Sequence, residues 1–289
     1  MHDSIRQLAP SEFPVLLREI ADPPSVLYLR GTLPEEDQKF LCVVGSREVT
    51  AYGKAVCEKI IRELAGSPIV IVSGLALGID AIAHQAALHA GLTTIAVPGS
   101  GLSNSVLYPR TNVHLAHEIL SRGGALLSEF EPDFRATPYG FPQRNRIMAG
   151  LSHAILVIEA KEESGTLITA RLATDYNRDV FTVPGSIFHP SSFGPHMLLR
   201  HGAALVRCGD DVREALGLAT PEKIMQDFSR LSKREQEVLT LLENPKPRDV
   251  LIETLGIPAR EANVLIAGLE LKGIVVERMG AIHIASSTY

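Results

Sequence analysis

Short, mostly apolar runs rich in β-branched residues recur along the chain. They are Leu41–Val44, Ile69–Val72, Thr93–Val97, Ala125–Leu127, Ala154–Ile158, Asp179–Val183 and Ala204–Val206. Between them lie amphipathic stretches of helix length, such as Tyr52–Ala65, Ile79–Ala90, Asn112–Ser121 and Leu167–Tyr176. Strands apolar on both faces, alternating with helices, predict a parallel sheet covered on both sides. Right-handed crossovers make it an open, doubly wound α/β sheet. After Leu218 the pattern changes. Ala219–Ser229 reads as a linker. Leu231–Glu243 reads as a helix, with Ser232 as its N-cap and Glu235 three residues on, a capping box. Arg248–Leu255 and Ala259–Lys272 are two further helices, and Ile274–Met279 and Ala281–Ala285 are short strands around Gly280. Three helices followed by a hairpin predict a small winged-helix domain over residues 230–289. The main sheet domain is then placed at 41–218, after a lead-in over 1–40.

Open α/β sheets bind ligands outside the carboxyl ends of their strands, so the turns after the strands carry the chemistry. Gly45, Ser46 and Arg47 follow the first run. Ser73 and Gly74, then Gly78, Ile79 and Asp80, follow the second, and Pro98–Gly101 follows the third. Glu159, then Ser164, Gly165 and Thr166, follow the fifth run, and Pro184, Gly185 and Ser186 the sixth. Glycine lets backbone approach a ligand closely, and helix N-termini offer unpaired N–H donors to anions. Five such turns along one edge predict a phosphate-lined groove rather than ordinary turn punctuation.

Composition narrows the class without naming a ligand. The chain has 289 residues, 45% of them hydrophobic and 5% aromatic, with no Trp. That suits an α/β core of Ala, Val, Ile and Leu. Lys and Arg number 28 against 33 Asp and Glu, a net charge of −5. Bulk charge therefore does not suggest nucleic acid, and a polyanion site has to be a local cluster. Three cysteines, Cys42, Cys57 and Cys208, form no C-x-x-C motif and read as reduced thiols of a cytoplasmic protein. No apolar run reaches membrane-spanning length, so no membrane partner is expected. No signal core opens the chain.

Several strings then occur in one order: VGSRxxxxYG at Val44–Gly53, SGxAxGIDxxAH at Ser73–His84 and YPRxN at Tyr108–Asn112. They continue with Ser128-Glu129, FPxRNRIxAGLS at Phe141–Ser152, SGTLITA at Ser164–Ala170 and VPGS at Val183–Ser186. This set resembles the DNA-processing protein A family (DprA, also called Smf) over roughly Pro24 to Leu216. The resemblance implies an extended Rossmann-like domain that binds single-stranded DNA, and members that self-associate as dimers. It implies a role in natural transformation and recombination: protecting incoming strands and loading a RecA-type recombinase. Many members carry a helical module ahead of the sheet, and residues 1–40 leave that module absent or truncated.

Residue by residue, Arg47 past its strand end is expected to clamp phosphate rather than to pair with Glu48. Arg110, aimed by Tyr108-Pro109, is expected to reach DNA. Arg144 and Arg146 stand two apart on a helix and point to different sides. One reaches the groove, and the other pairs with Glu129 or Glu159. Asn145 is either a helix cap or a base contact. Phe141 either stacks a single-stranded base or closes the sheet edge. Gly45, Ser46, Gly74, Gly78, Ser164, Gly165 and Thr166 supply backbone donors. Arg171 is a further candidate contact. Asp80 and His84 stand four apart but have no third ligand at a sensible spacing, so no metal is expected.

No cofactor is expected either, since no GxGxxG follows the first strand. The rival reading is a phosphoribohydrolase-like nucleotide enzyme of the same superfamily, which carries a PGGxGTxxE string. Here Ile168 and Thr169 stand where its glutamate belongs, which removes the proton carrier. A winged-helix regulator is a third reading, but basic and acidic residues balance across Arg230–Tyr289. The expectation is a single-stranded-DNA-binding protein, not an enzyme.

Overall fold

The computed structural model describes residues 4–35, 37–219, 231–242, 244–278 and 280–284. Two compact units divide at Thr220 and Pro221. The first opens with β1 (Ile5–Gln7), α1 (Val15–Arg18), β2 (Tyr28–Gly31), β3 (Lys39–Val44), α2 (Ala51–Glu63), β4 (Ile69–Ser73) and α3 (Ile79–His89). It continues through β5 (Thr94–Ala96), α4 (Val113–Ser121), β6 (Ala125–Ser128), α5 (Gly140–Leu151), β7 (Ala154–Val157) and α6 (Gly165–Asp175). It closes with β8 (Asp179–Thr182), α7 (Phe193–Arg200), β9 (Ala204–Leu205) and α8 (Gly209–Ala215).

The sheet has nine strands in the order β1-β2-β6-β5-β4-β3-β7-β8-β9. From β6 to β9 all neighbours are parallel, while β1 and β2 join antiparallel at one edge. The chain winds outward from β3 to β6, then returns to lay β7 against the other side of β3. That reversal opens a crevice at the carboxyl ends of β3 and β7.

Period-two alternation distributes the core. Phe40, Cys42 and Val44 face α5 and α6 together with Val70, Val72, Ile155 and Val157. Leu41 and Val43 face α2 and α3 together with Ile69, Ile71, Ala154 and Leu156. Both faces of β3, β4, β5 and β7 are dry, as the continuous apolar runs predict, while β8 and β9 at the far edge are partly exposed. The three cysteines are unpaired, with Cys42 and Cys57 buried.

The stretch expected as a separate lead-in belongs to the sheet. β2 pairs with β6 from Tyr28 opposite Ser128 to Gly31 opposite Ala125. Leu17 and Ile20 pack against Gly150 of α5, where a Cβ would meet Ile20 at 2.9 Å. Arg178 donates to the Leu16 carbonyl at 2.8 Å. These strands are short and mixed in polarity, so period alone did not mark them. Among the described residues, no helix is long and apolar enough to cross a membrane.

The second unit holds α9 (Lys233–Leu241), α10 (Arg248–Leu255), α11 (Ala259–Leu271) and a hairpin of β10 (Val275–Arg278) and β11 (Ala281–Ile284). Val238, Leu251, Ile266, Leu269 and Ile282 form its core. Ser232 and Glu235 make the expected reciprocal cap of α9. The stretch expected as a linker, Ala219–Ser229, lies outside the described residues apart from Ala219.

Deleting residues 1–31 strips two strands from the sheet and leaves β6 as a bare edge. The shortened chain is expected to unfold at a clearly lower urea concentration than the full chain, or to aggregate. An unchanged urea midpoint would contradict the integral role of β1 and β2.

Candidate nucleic-acid interface

The crevice at the β3–β7 reversal has a volume of about 720 Å³. Its walls bring together Gly45, Ser46, Arg47, Phe141, Arg144, Asn145, Ser164, Gly165 and Thr166, which are nine of the expected site residues. Three segments carry them: the β3–α2 turn, the buried face of α5, and the start of α6. On α5 they include Phe141, Arg144, Asn145 and Met148, the i, i+3, i+4, i+7 set of one helix face, with Pro142 beside them.

The turns are held from inside. Ser46 Oγ donates to the Glu48 carbonyl at 2.9 Å and accepts from the Glu48 N–H at 3.1 Å. Ser164 caps α6 by accepting from Thr166 N–H at 3.2 Å. Thr166 Oγ1 in turn donates to the Gly45 carbonyl at 3.1 Å, which ties α6 to the β3 turn. A Cβ on Gly165 would meet nothing within 4 Å, so its backbone faces open space at the positive end of the α6 dipole. Glu159, 3% exposed at the end of β7, accepts from Thr50 N–H at 3.1 Å and Ser191 Oγ at 3.1 Å. That carboxylate pins the start of α2 beside the crevice.

Gly74 and Gly78 serve the site indirectly. A Cβ at Gly74 would collide with the Arg144 guanidinium. Gly78 has φ +78°, and a Cβ there would come within 2.7 Å of Arg47 Cα. Both positions need glycine for close approach, and neither lines the crevice.

The arginines divide as a helix requires of residues two apart, but neither is a free phosphate contact. Arg144 is 5% exposed and forms the crevice floor. Its Nη1 donates to the carbonyls of Gly74 and Val97, each at 2.5 Å. Its Nε donates to Asn145 Oδ1 at 2.9 Å, and its Nη2 lies 3.8 Å from Asp80 Oδ2. Arg146 points away from the crevice. It pairs with Glu129 and donates to the Asp22 carbonyl at 2.7 Å. Of the two, Arg146 is thus the one that pairs with Glu129, because its side of α5 faces the lead-in segment, and Arg144 is the one that reaches the crevice. Asn145 sits in mid-helix, which removes the cap reading. Arg171 on α6 is exposed and lies outside the crevice lining.

Burial raises the pKa of Asp80, while the Arg144 guanidinium opposes the rise. His84 is fully buried with Nδ1 2.7 Å from Thr94 Oγ1, and burial pushes its pKa down to about 3. Asp80 and His84 thus have separate partners and form no common ligand pair.

Arg47 differs from Arg144. It is exposed, and its Cζ lies 5.1 Å from the Phe141 ring centroid. Among the described residues it has no ion pair and no hydrogen-bonded partner for its guanidinium. Lys161 at the mouth is neutralised by Glu48 at 2.6 Å, and Glu163 is exposed beside it. The lining thus holds three cations, Arg47, Arg144 and Lys161, and three carboxylates, Glu48, Asp80 and Glu163. Of the cations only Arg47 is uncommitted. Phe141 rests on Gly99, where a Cβ would meet the ring at 2.6 Å. Arg110 stands outside the crevice lining, exposed, and donates to the Asn104 carbonyl at 2.7 Å. Lys161 was missed from sequence, although it follows the β7 end and could have been found there. Gly99 was read as part of a strand-end turn, whereas the space it leaves for Phe141 is visible only in three dimensions.

The family model described as DNA recombination-mediator protein A matches residues 5–217. The chain belongs to this family. Protein Smf of Escherichia coli is 40% identical over 277 residues, covering 92% of this chain and 73% of that protein. DNA processing protein DprA of Bacillus subtilis is 40% identical over 221 residues, 76% of this chain and 72% of its own. The solved structure of DprA from Streptococcus pneumoniae superposes with a TM-score of 0.68 at 40% identity, over 76% of each chain. DprA from Helicobacter pylori superposes with a TM-score of 0.66 at 32% identity, over 74% of this chain and 96% of its own. Its structure describes a single-stranded DNA binding mode of that protein. The mostly parallel sheet read from the runs is the sheet of this family.

Replacing Arg144 by Met leaves Asp80 buried beside an apolar chain. Breaking a buried pair in this way costs about 3–5 kcal/mol. Urea unfolding of Arg144→Met is expected to lose stability on that scale, with part regained in the Arg144→Met, Asp80→Asn double variant. A loss below about 1 kcal/mol would contradict the role assigned to this guanidinium.

Proposed function

We propose that this chain binds single-stranded DNA at the β3–β7 crevice and acts as a recombination mediator without catalysis of its own. One observation carries the reading: an unpartnered, exposed Arg47 guanidinium lies over the Phe141 ring at the mouth of a crevice flanked by the α6 N-terminus. A guanidinium, an aromatic face and open main-chain donors are what a sequence-tolerant strand contact needs. The binding mode described for the Helicobacter pylori relative supports the same ligand class. Arg110, with one donor used and the rest open, extends the positive rim.

The hydrolase reading needs a carboxylate where Ile168 and Thr169 stand. Both line the crevice, and two of its three carboxylates, Glu48 and Asp80, are engaged by cations. Protection of incoming strands and loading of a RecA-type recombinase are the roles proposed with single-stranded-DNA binding. The second unit has the element order of a winged helix. Among the described residues three of its cations are paired: Arg234 with Glu261 at 2.8 Å, Lys272 with Glu235 at 2.6 Å, and Arg248 with Glu277 at 2.9 Å. That pairing favours protein contact over major-groove reading.

Self-association fits the apolar patch between β8 and α7. Phe188 is 91% exposed and Ile187 80% exposed there, and both line one hollow with Phe193. Exposed apolar groups gathered in one patch mark an interface. Two copies joined at this patch would present two crevices to one strand and raise avidity. Sedimentation of the wild type is expected to give a dimer, and Phe188→Glu a monomer. A monomeric wild type, or a dimeric Phe188→Glu, would contradict this surface.

Fluorescence anisotropy with a labelled oligo-dT tests the ligand. Arg47→Ala is expected to weaken binding roughly tenfold or more. Its salt dependence should flatten by about 0.7 in log–log slope, the loss of one phosphate contact to a single strand. Equal affinity and slope for Arg47→Ala and wild type would refute the crevice as the site, and release of adenine from AMP would favour the enzyme.

A further inference from the structure

Phe141 is not the only aromatic ring at this rim. Tyr108, in the loop before α4, has its ring centroid 5.8 Å from that of Phe141, with the planes tilted by 46°. Tyr108 is 48% exposed, and among the described residues its hydroxyl has no hydrogen-bond partner. The backbone that carries it is pinned on both sides. Arg110 holds the Asn104 carbonyl at 2.7 Å. Asn112 Nδ2 donates to the carbonyls of Leu75 and Ala76, at 2.9 and 3.1 Å. Ala76 itself lines the crevice, so the Tyr108 loop is fastened to the crevice wall.

Rings this close are already in aromatic contact, and no base fits between them. Each can still offer an outward face, and the tilt makes the pair a stepped platform. A tyrosine on a fixed backbone loses little freedom when a base covers it. Charge supplies the direction. On the α6 side of the mouth Lys161 is neutralised by Glu48, and Glu163 stands exposed. On the Tyr108 side Arg110 contacts only a backbone carbonyl and keeps its charge. A sugar-phosphate chain leaving Arg47 meets carboxylates one way and a guanidinium the other.

We propose that Tyr108 is a second nucleobase-stacking residue, and that the strand leaves the crevice across Phe141 and Tyr108 toward Arg110. This inference rests on the reading of the crevice as a single-stranded-DNA site. It assigns Tyr108 to ligand contact rather than to propping up Phe141.

The test uses the full chain and dT20. The protein has no Trp, so Tyr108→Trp carries a single reporter. Its fluorescence is expected to quench as dT20 is titrated in. Tyr108→Ala should weaken binding about 5- to 150-fold, the range for one stacked base, with the salt slope unchanged. Tyr108→Phe should bind like wild type. A role confined to propping Phe141 predicts no quenching in Tyr108→Trp. Wild-type affinity in Tyr108→Ala, or an unquenched Tyr108→Trp, overturns the inference while Arg47→Ala still reports on the crevice. If the wild type itself does not bind dT20, the crevice reading falls and this inference falls with it.

Discussion

Arg144 sends one guanidinium nitrogen to two backbone carbonyls, those of Gly74 and Val97, just beyond the ends of two neighbouring strands. A third contact runs to Asp80 on α3. The rim of the sheet is thereby locked to α5, the helix that precedes the returning strand β7. Taking a guanidinium out of water is costly, and only a full set of acceptors offsets it. Gly74 is glycine because the guanidinium occupies the space of its missing Cβ. One helical turn ahead of Arg144, the same face presents Phe141 to the mouth of the crevice. The position of the Phe141 ring thus follows from a buried charge rather than from the exposed loops.

That arrangement separates holding from binding. The crevice lining is balanced in charge, and most of that charge is spent on internal pairs. Arg47 remains uncommitted within it, and Arg110 remains open beside it. A chain of net charge −5 can therefore present a polyanion site without a broad basic face. On the proposed reading, affinity rests on few phosphate contacts, supplemented by stacking and by main-chain donors at α6.

Much of this was legible in sequence. The runs from Leu41 to Ile158 are apolar at nearly every position because β3 to β7 are buried on both faces, and such runs are read without knowing their partners. The turns at Gly45–Arg47 and Ser164–Thr166 meet at one crevice because strand-end turns of a parallel sheet share an edge. Topology decides which of them become neighbours. The turn at Pro184–Ser186 lies on the same edge yet outside the crevice lining, since β8 is one strand beyond the reversal. β1 and β2 were not legible because strands three or four residues long and mixed in polarity carry no clear period. The fates of Arg144 and Arg146 turned on which face of α5 met the sheet. Spacing could separate the two but could not assign them.

The central claim is that single-stranded DNA lies in the β3–β7 crevice. Photocrosslinking of an oligonucleotide carrying 4-thiothymidine, followed by mass-spectrometric mapping of the adducts, tests it most directly. Adducts are predicted on peptides that contain Arg47, Tyr108 or Phe141. Adducts confined to the second unit, or to the Ile187–Phe193 patch, would contradict the account.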